Sequence, residues 1–220
     1  MSRIARQHLV IPDCQVRPGV PIDHLSWIGN YVNEKRPDVV VNLGDFADMH
    51  SLSSYDLGKA SSEGARYVDD IEATRAAMRR LMKPIKYKPE LHFTLGNHED
   101  RIDRHVEANP SLVGALSISD LKYKESGWKV YPFLKVATID SVEYCHYFIS
   151  GSMGRPVSSA RALLTARHRS AIMGHVQHRE IAIHRQTQDT AIFAGICYLH
   201  EEKYLTPQSE SLKRGIWVLN

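Results

Sequence analysis

Short apolar runs that end in polar residues alternate with stretches of helical period through the first half of the chain. His8–Pro12 is one such run and reads as a buried strand ending at Asp13. Pro21–Lys35 predicts a helix closed by Pro37, and Asp38–Leu43 predicts the next strand. From Glu63 to about Met82, Ala, Arg and Met recur at the 3.6-residue period, with Pro84 as the stop. Glu90–Leu95 is a third strand, broken by Gly96. Strand, helix, strand, helix, strand is the signature of a largely parallel sheet.

The pattern changes at Trp128. Lys129–Ile139 and Val142–Ile149 pattern as a hairpin about Asp140-Ser141, and Ser158–His168 as a short helix. Ala171–Met173, Ile181–His184, Ala191–Ile196 and Gly215–Leu219 are further strands. Two strand-bearing halves, each with helices, predict an α/β protein with two stacked sheets. No repeat, low-complexity tract or Pro/Ser-rich linker interrupts the chain, so one domain over residues 1–220 is expected.

With 220 residues, 43% of them hydrophobic, the chain can fill a substantial core. No apolar stretch approaches the ~20 residues that cross a bilayer. The N-terminus is basic, yet the run Leu9–Pro12 is too short for a signal-peptide core, so a cytoplasmic location is expected. Cys14, Cys145 and Cys197 are odd in number, widely spaced and without a CxxC pair, which argues against a disulfide framework or a structural zinc knuckle and predicts buried reduced thiols. A net charge of +3 is too mild to mark a nucleic-acid binder.

The chemically loaded residues fall where strands end. They are Asp13-Cys14-Gln15, then Gly44-Asp45-Phe46-Ala47-Asp48, then Gly96-Asn97-His98-Glu99; a later strand carries His146, and the strand after it ends in Gly174-His175-Val176-Gln177. The carboxyl ends of parallel strands converge on one edge of a sheet, so residues distant in sequence meet there. In extended chain, side chains at i and i+2 point the same way, which puts Asp13 and Gln15 on the site while Cys14 turns into the core. His175 and Gln177 repeat that spacing. Asp, Asn, His and Gln suit divalent cations, and a carboxylate such as Asp45 can bridge two ions ~3.5–4 Å apart and present an activated water to phosphorus.

This ordered set, spanning positions 13 to 177, resembles the calcineurin-like metallophosphoesterases, whose motifs run Asp-x-His, Gly-Asp-x-x-Asp, Gly-Asn-His-Asp/Glu, a lone His and Gly-His-x-His. Gln15-Val16-Arg17-Pro18-Gly19, His146-Tyr147-Phe148 and Gly154-Arg155-Pro156 are most similar to a branch common in bacteriophage genomes, which would place the protein in the host cytoplasm. The resemblance implies a four-layer β-sandwich of two mixed sheets flanked by helices, and hydrolysis of a phosphoester at a dinuclear metal centre. Carried over by position, Asp13 binds the first metal, Asp45 bridges both, and Asn97, His146 and His175 complete the second site. His98 is then the catalytic imidazole, Asp48 the carboxylate that orients it, and Arg101 a candidate phosphate clamp that could equally be an exposed helix arginine.

Two departures affect one metal site. Gln15 and Gln177 stand where the family pattern has histidines. Their amide oxygens are neutral and hard, which favours Mn²⁺ or Mg²⁺ over Zn²⁺, Fe²⁺ or Ni²⁺. His178 could replace Gln177 if the loop bulged. Between Gly151 and Arg179 lie five arginines (155, 161, 167, 169 and 179) and no acid, a stretch that could attract a polyanion. Together with the phage-like wording it leans towards a phosphodiesterase acting on nucleic acid or nucleotides. A phosphomonoesterase acting on phosphoprotein or a small metabolite is the alternative, and a weakly active metal- or nucleotide-binding protein the second. No protein partner is implied. The polar segment Ser51–Gly64 is a candidate lip that selects substrate.

Overall fold

Alternation within the first strands sorts their side chains to two faces, and both faces are buried. A computed structural model describes residues 6–201 and 212–220, so most of the basic N-terminal segment lies outside the described residues. Strands β1 (His8–Ile11), β2 (Val39–Asn42), β3 (Glu90–Thr94) and β4 (Lys129–Tyr131) pair in parallel, and β12 (Trp217–Leu219) joins β1 antiparallel. The sheet order is β12-β1-β2-β3-β4. Leu9, Ile11, Val40 and Phe93 pack outward against Leu25, Ile28 and Val32 of α1 (Asp23–Lys35) and Ile71, Met78 and Leu81 of α2 (Tyr67–Met82).

Val10, Val39, Val41 and Leu43 face the other way, into a core shared with Ile139, Tyr144, Ile172 and Ile192 of a second sheet. That sheet runs β10 (Arg179–Ile183), β11 (Thr190–Ala194), β9 (Ala171–Met173), β6 (Val142–Cys145), β5 (Ala137–Ile139), with β11, β9 and β6 parallel and both edge strands antiparallel. Its outer face, with Met173 and Phe193, is covered by Ala160, Leu163 and Leu164 of α4 (Ala160–Arg167). The layers are therefore helix, sheet, sheet, helix: a β-sandwich of two mixed sheets flanked by helices.

Several boundaries differ from the sequence reading for local reasons. Lys129–Ile139 is two strands, not one, and they belong to different sheets. Pro132 has no N–H for a ladder, Lys135 N donates to Pro132 O at 2.9 Å, and Leu134 takes φ +63°, so the chain turns from one sheet into the other. The strand begun at Val142 stops at Cys145, and Ile149–Ser150 (β7) pairs instead with Arg155–Pro156 (β8). Helix α2 begins at Tyr67 rather than Glu63 because Gly64 (φ +74°) turns the chain and Arg66 is extended. Asp69 and Asp70 then complement the dipole of its first turn. The short helix α3 (Arg101–Ala108) follows the Gly-Asn-His-Glu turn.

The Ser51–Gly64 segment forms two 3₁₀ turns, His50–Leu52 and Ala60–Ser62. Ser51 N donates to Asp70 Oδ2 at 2.8 Å, which anchors the segment to α2. All three cysteines are buried and unbridged. No helix among the described residues is long and apolar enough to cross a membrane.

Candidate active site

The site is built where two loops approach more closely than side chains would permit. Gly44 has φ +89°, and a Cβ there would lie 2.5 Å from Gly96 N and Thr94 O; a Cβ on Gly96 would strike Asp45 Oδ1. Glycine at both positions lets the loops after β2 and β3 touch. Glu99, fully buried, locks them: Asp45 N and Gly96 N each donate to its Oε2 at 2.9 Å, and Ala47 N donates to Oε1 at 3.0 Å. Tyr123 Oη also donates to Oε1, at 3.1 Å. Glu99 had no role in the sequence reading, although it stands inside a quoted motif. An acid amid buried strand ends needs such donors, and that was the available signal.

Four side chains from four separate loops and strand ends meet at one point. His146 Nε2 lies 2.9 Å from Asn97 Oδ1 and 3.3 Å from Asp45 Oδ2, and His175 Nδ1 lies 2.8 Å from the same Asn97 oxygen. Ligand atoms of Asp45, His146 and His175 all fall within 4.8 Å of one another. His146 Nδ1 donates to Leu43 O at 2.8 Å, which turns Nε2 toward the site. Beside this cluster, Asp13 is fully buried; its Oδ1 accepts from His175 N at 3.2 Å, and its Oδ2 has no hydrogen-bond partner.

The backbone supports the cluster in an unusual way. Asp45 (φ +46°), His175 (φ +63°) and Gln15 (φ +42°) all sit in the left-handed region, which is uncommon for non-glycine residues. This corrects the extended-chain reasoning for two pairs, because Gln15 and His175 are not extended. Gln15 is buried nonetheless, with its N donating to Asp45 O at 2.8 Å. Gln177 is half-buried with Oε1 shielded from solvent. His178 is exposed and lies 3.7 Å from Glu180.

His98 is held from both sides. Its Nδ1–H donates to Asp48 Oδ1 and Asp48 O, each at 2.9 Å, while Nε2 lies 3.6 Å from Asp45 Oδ2. Burial opposes its charge, but Asp45 and the Asp48 hydrogen bond outweigh that and raise its pKa. Burial likewise opposes ionisation of Asp48, yet His98 and Arg17, 2.7 Å away, hold its carboxyl well below the usual range. Arg101, first residue of α3, is 12% exposed; it donates to Asp48 O at 2.7 Å and lies 3.3 Å from His98 Nε2. It is thus part of the histidine's cradle, not an exposed helix arginine.

The arginine-rich stretch has a structural use. Arg167 binds Glu143 through two bonds of 2.6 and 2.9 Å, with Arg169 3.5 Å from the same carboxylate, and Arg179 lies over the Trp217 ring. Three of its five arginines therefore have partners within the fold, while Arg155 and Arg161 are exposed.

The model of the family described as calcineurin-like phosphoesterase matches residues 9–190 of the chain. The protein belongs to the calcineurin-like phosphoesterases. It is accordingly a metal-dependent hydrolase acting on phosphoester bonds. No curated protein matches the sequence. A solved crystal structure is similar over 87% of this chain and 91% of its own, at 14% identity and a TM-score of 0.47.

The donor set of this phosphoesterase fits the divalent cations its family uses. Burial, reinforced by Asp45, pushes the Asp13 carboxyl upward, so a cation is needed if both carboxylates are to be charged side by side. In metal-stripped phosphoesterase that cation is a proton. Burial opposes charge on His146, but Asp45 outweighs it and raises its pKa from 6.5 to about 9. A raised value means the folded state binds the extra proton, so this stability is full below pH 6.5 and lost as pH rises through 9. Asp13 acts in the same sense. The stripped protein is expected to melt at a lower temperature above pH 9 than at pH 6.5, and saturating Mn²⁺ to reduce the difference. Thermal denaturation with and without chelator checks this; a stripped protein that gains stability with pH would contradict it.

Proposed function

We propose that this phosphoesterase hydrolyses a phosphodiester of a nucleotide or nucleic acid, with two divalent cations, Mn²⁺ or Mg²⁺, held by Asp13, Gln15, Asp45, Asn97, His146, His175 and Gln177. The observation that carries the reading is the convergence of Asp45 Oδ2, Asn97 Oδ1 and His175 Nδ1 on or beside His146 Nε2. When bound, the cations supply Lewis-acid polarisation of the phosphoryl group and activation of water. Asp45 would serve both cations, and Asp13 would offer the first a buried oxygen that no hydrogen bond uses. His98 Nε2 delivers a proton to the leaving oxygen, while Asp48 fixes the ring through Nδ1 and compensates the imidazolium charge. Arg101 and Arg17 position Asp48 and hence His98.

A substrate carrying a nucleoside is favoured by Tyr147. Its half-buried ring lies 4.7 Å from His175 and 5.6 Å from Phe133, forming an aromatic wall beside the metal ligands on which a base could stack. The phage-like wording around Gln15, His146 and Arg155 agrees with action on nucleic acid in an infected host's cytoplasm. Parallel hydrolysis of a bis-aryl and a mono-aryl phosphate across Mg²⁺, Mn²⁺, Ni²⁺ and Zn²⁺ tests the reading. Preference for the diester supports it, preference for the monoester redirects it to a phosphomonoesterase, and silence with every metal refutes catalysis.

The two glutamines give a separate test. If both are ligands, the first site lacks imidazole and should be the weaker, so Gln15→His with Gln177→His should tighten it for Zn²⁺. Histidine is among the residues that tolerate the left-handed backbone at position 15. Each single replacement should gain less. A competition titration in which the double variant binds Zn²⁺ no better than the parent would remove the glutamines from the ligand set.

A further inference from the structure

A second cluster of metal-binding groups lies in the helix-covered core, separate from the carboxylate and imidazole site. Cys14, His24 and Cys197 are 1%, 4% and 4% exposed, and one ligand atom from each falls within 4.8 Å of the others. The two sulfurs are 3.2 Å apart, and both thiols donate to Pro12 O at 3.4 Å. His24 stands in the first turn of α1, and its ring nitrogens make no well-formed hydrogen bond; the group they approach is the Cys197 thiol. An imidazole buried with so little for its nitrogens to bond calls for a further partner.

We propose that Cys14, His24 and Cys197 form a closed structural site for a thiophilic divalent cation of the Zn²⁺ type. Two thiols release their protons to solvent on binding, and two thiolates with a neutral imidazole then balance the 2+ charge. The filled site is neutral, which suits deep burial. Proton release also frees Pro12 O from both thiols and makes it the candidate fourth ligand. Tetrahedral zinc, with Zn–S near 2.3 Å, sets its sulfurs about 3.8 Å apart, so a small outward turn of one side chain is required. A disulfide would use the same two sulfurs but leave His24 unmet, and for this reason the cation is preferred.

The placement gives the cation a purpose. Cys14 follows Asp13 on the extension of β1, while Cys197 lies beyond β11, where its N donates to Asp13 O at 2.9 Å. His24 brings in α1. One ion would therefore pin an end of each sheet and a helix together directly behind Asp13, which holds that aspartate in register without touching substrate.

Co²⁺ is the probe, because thiolate-to-cobalt charge-transfer absorption in the near ultraviolet cannot arise from a site of oxygen and imidazole ligands. Reduced full-length protein titrated anaerobically with Co²⁺ should develop this band, and Zn²⁺ should displace it. Cys14→Ser with Cys197→Ser should abolish it, Cys145→Ser should retain it, and His24→Gln should release cobalt to a chelator at least tenfold more readily. Asp45→Asn should retain it, so the result stands apart from whether the phosphoesterase site is assigned correctly. The proposal is overturned if the wild-type protein, with all three thiols titrating as reduced, shows no band. It is equally overturned if the band survives in the double serine variant, or if His24→Gln holds cobalt as tightly as wild type. Should the double variant fail to fold, the wild-type band and the His24→Gln release rate still decide the matter.

Discussion

Replacing His98 with alanine is expected to lower turnover by roughly 10²–10⁴ while leaving fold and metal content intact. The separation is legible in the contacts. His98 anchors Asp45 through its backbone, N donating to Asp45 Oδ1 at 2.9 Å, and alanine preserves that bond. Glu99, not His98, ties the two loops together. What the substitution removes is the imidazole whose Nδ1 is fixed by Asp48 and whose Nε2 faces the site. Steady-state hydrolysis in metal-replete buffer, with metal analysis of the same sample, checks the prediction. A loss under about threefold would take His98 out of the mechanism.

Asp45→Asn should cost more than Asp13→Asn, and more than the ~10–100-fold typical of a residue that only supports a metal ligand. Asp45 Oδ2 lies 3.3 Å from His146 Nε2 and 3.6 Å from His98 Nε2, so its charge reaches both the metal cluster and the acid. Asp13 contacts the cluster from one side only, through His175 N. Both cations should therefore be depleted from the Asp45 variant and one from the Asp13 variant. Metal analysis that finds one ion lost and the other intact in Asp45→Asn would contradict the bridging role.

Much of this was legible in the chain because the chemistry sits at strand ends. Apolar runs such as Leu9–Ile11 and Val39–Val41 have one reading as buried parallel strands, and the polar residue after each run must then lie at a common edge. That rule singles out Asp45, Asn97 and His175, while the place of His146 and the metal roles of all four came from the resemblance. What escaped was whatever depends on contacts between distant segments. Pro132 is a local sign that the strand ends, but only the pairing of distant segments sends the chain from there into the other sheet. The left-handed backbone at Gln15 arises from the close approach of the Asp45 loop, which composition does not encode. Cys14 and Cys197, 183 positions apart, looked unrelated until the fold set their sulfurs 3.2 Å from each other. The partner of Arg167 and Arg169 was hidden for the same reason, since Glu143 lies outside the arginine-rich stretch.

The central claim is that Asp45 bridges two cations between the Asp13 side and the cluster of Asn97, His146 and His175. Anomalous scattering from crystals soaked in Mn²⁺ tests it most directly. The account predicts two manganese peaks, both within bonding distance of the Asp45 carboxylate, one shared with Asp13 and the other with Asn97, His146 and His175. A single peak, or two peaks of which one does not touch Asp45, would contradict it.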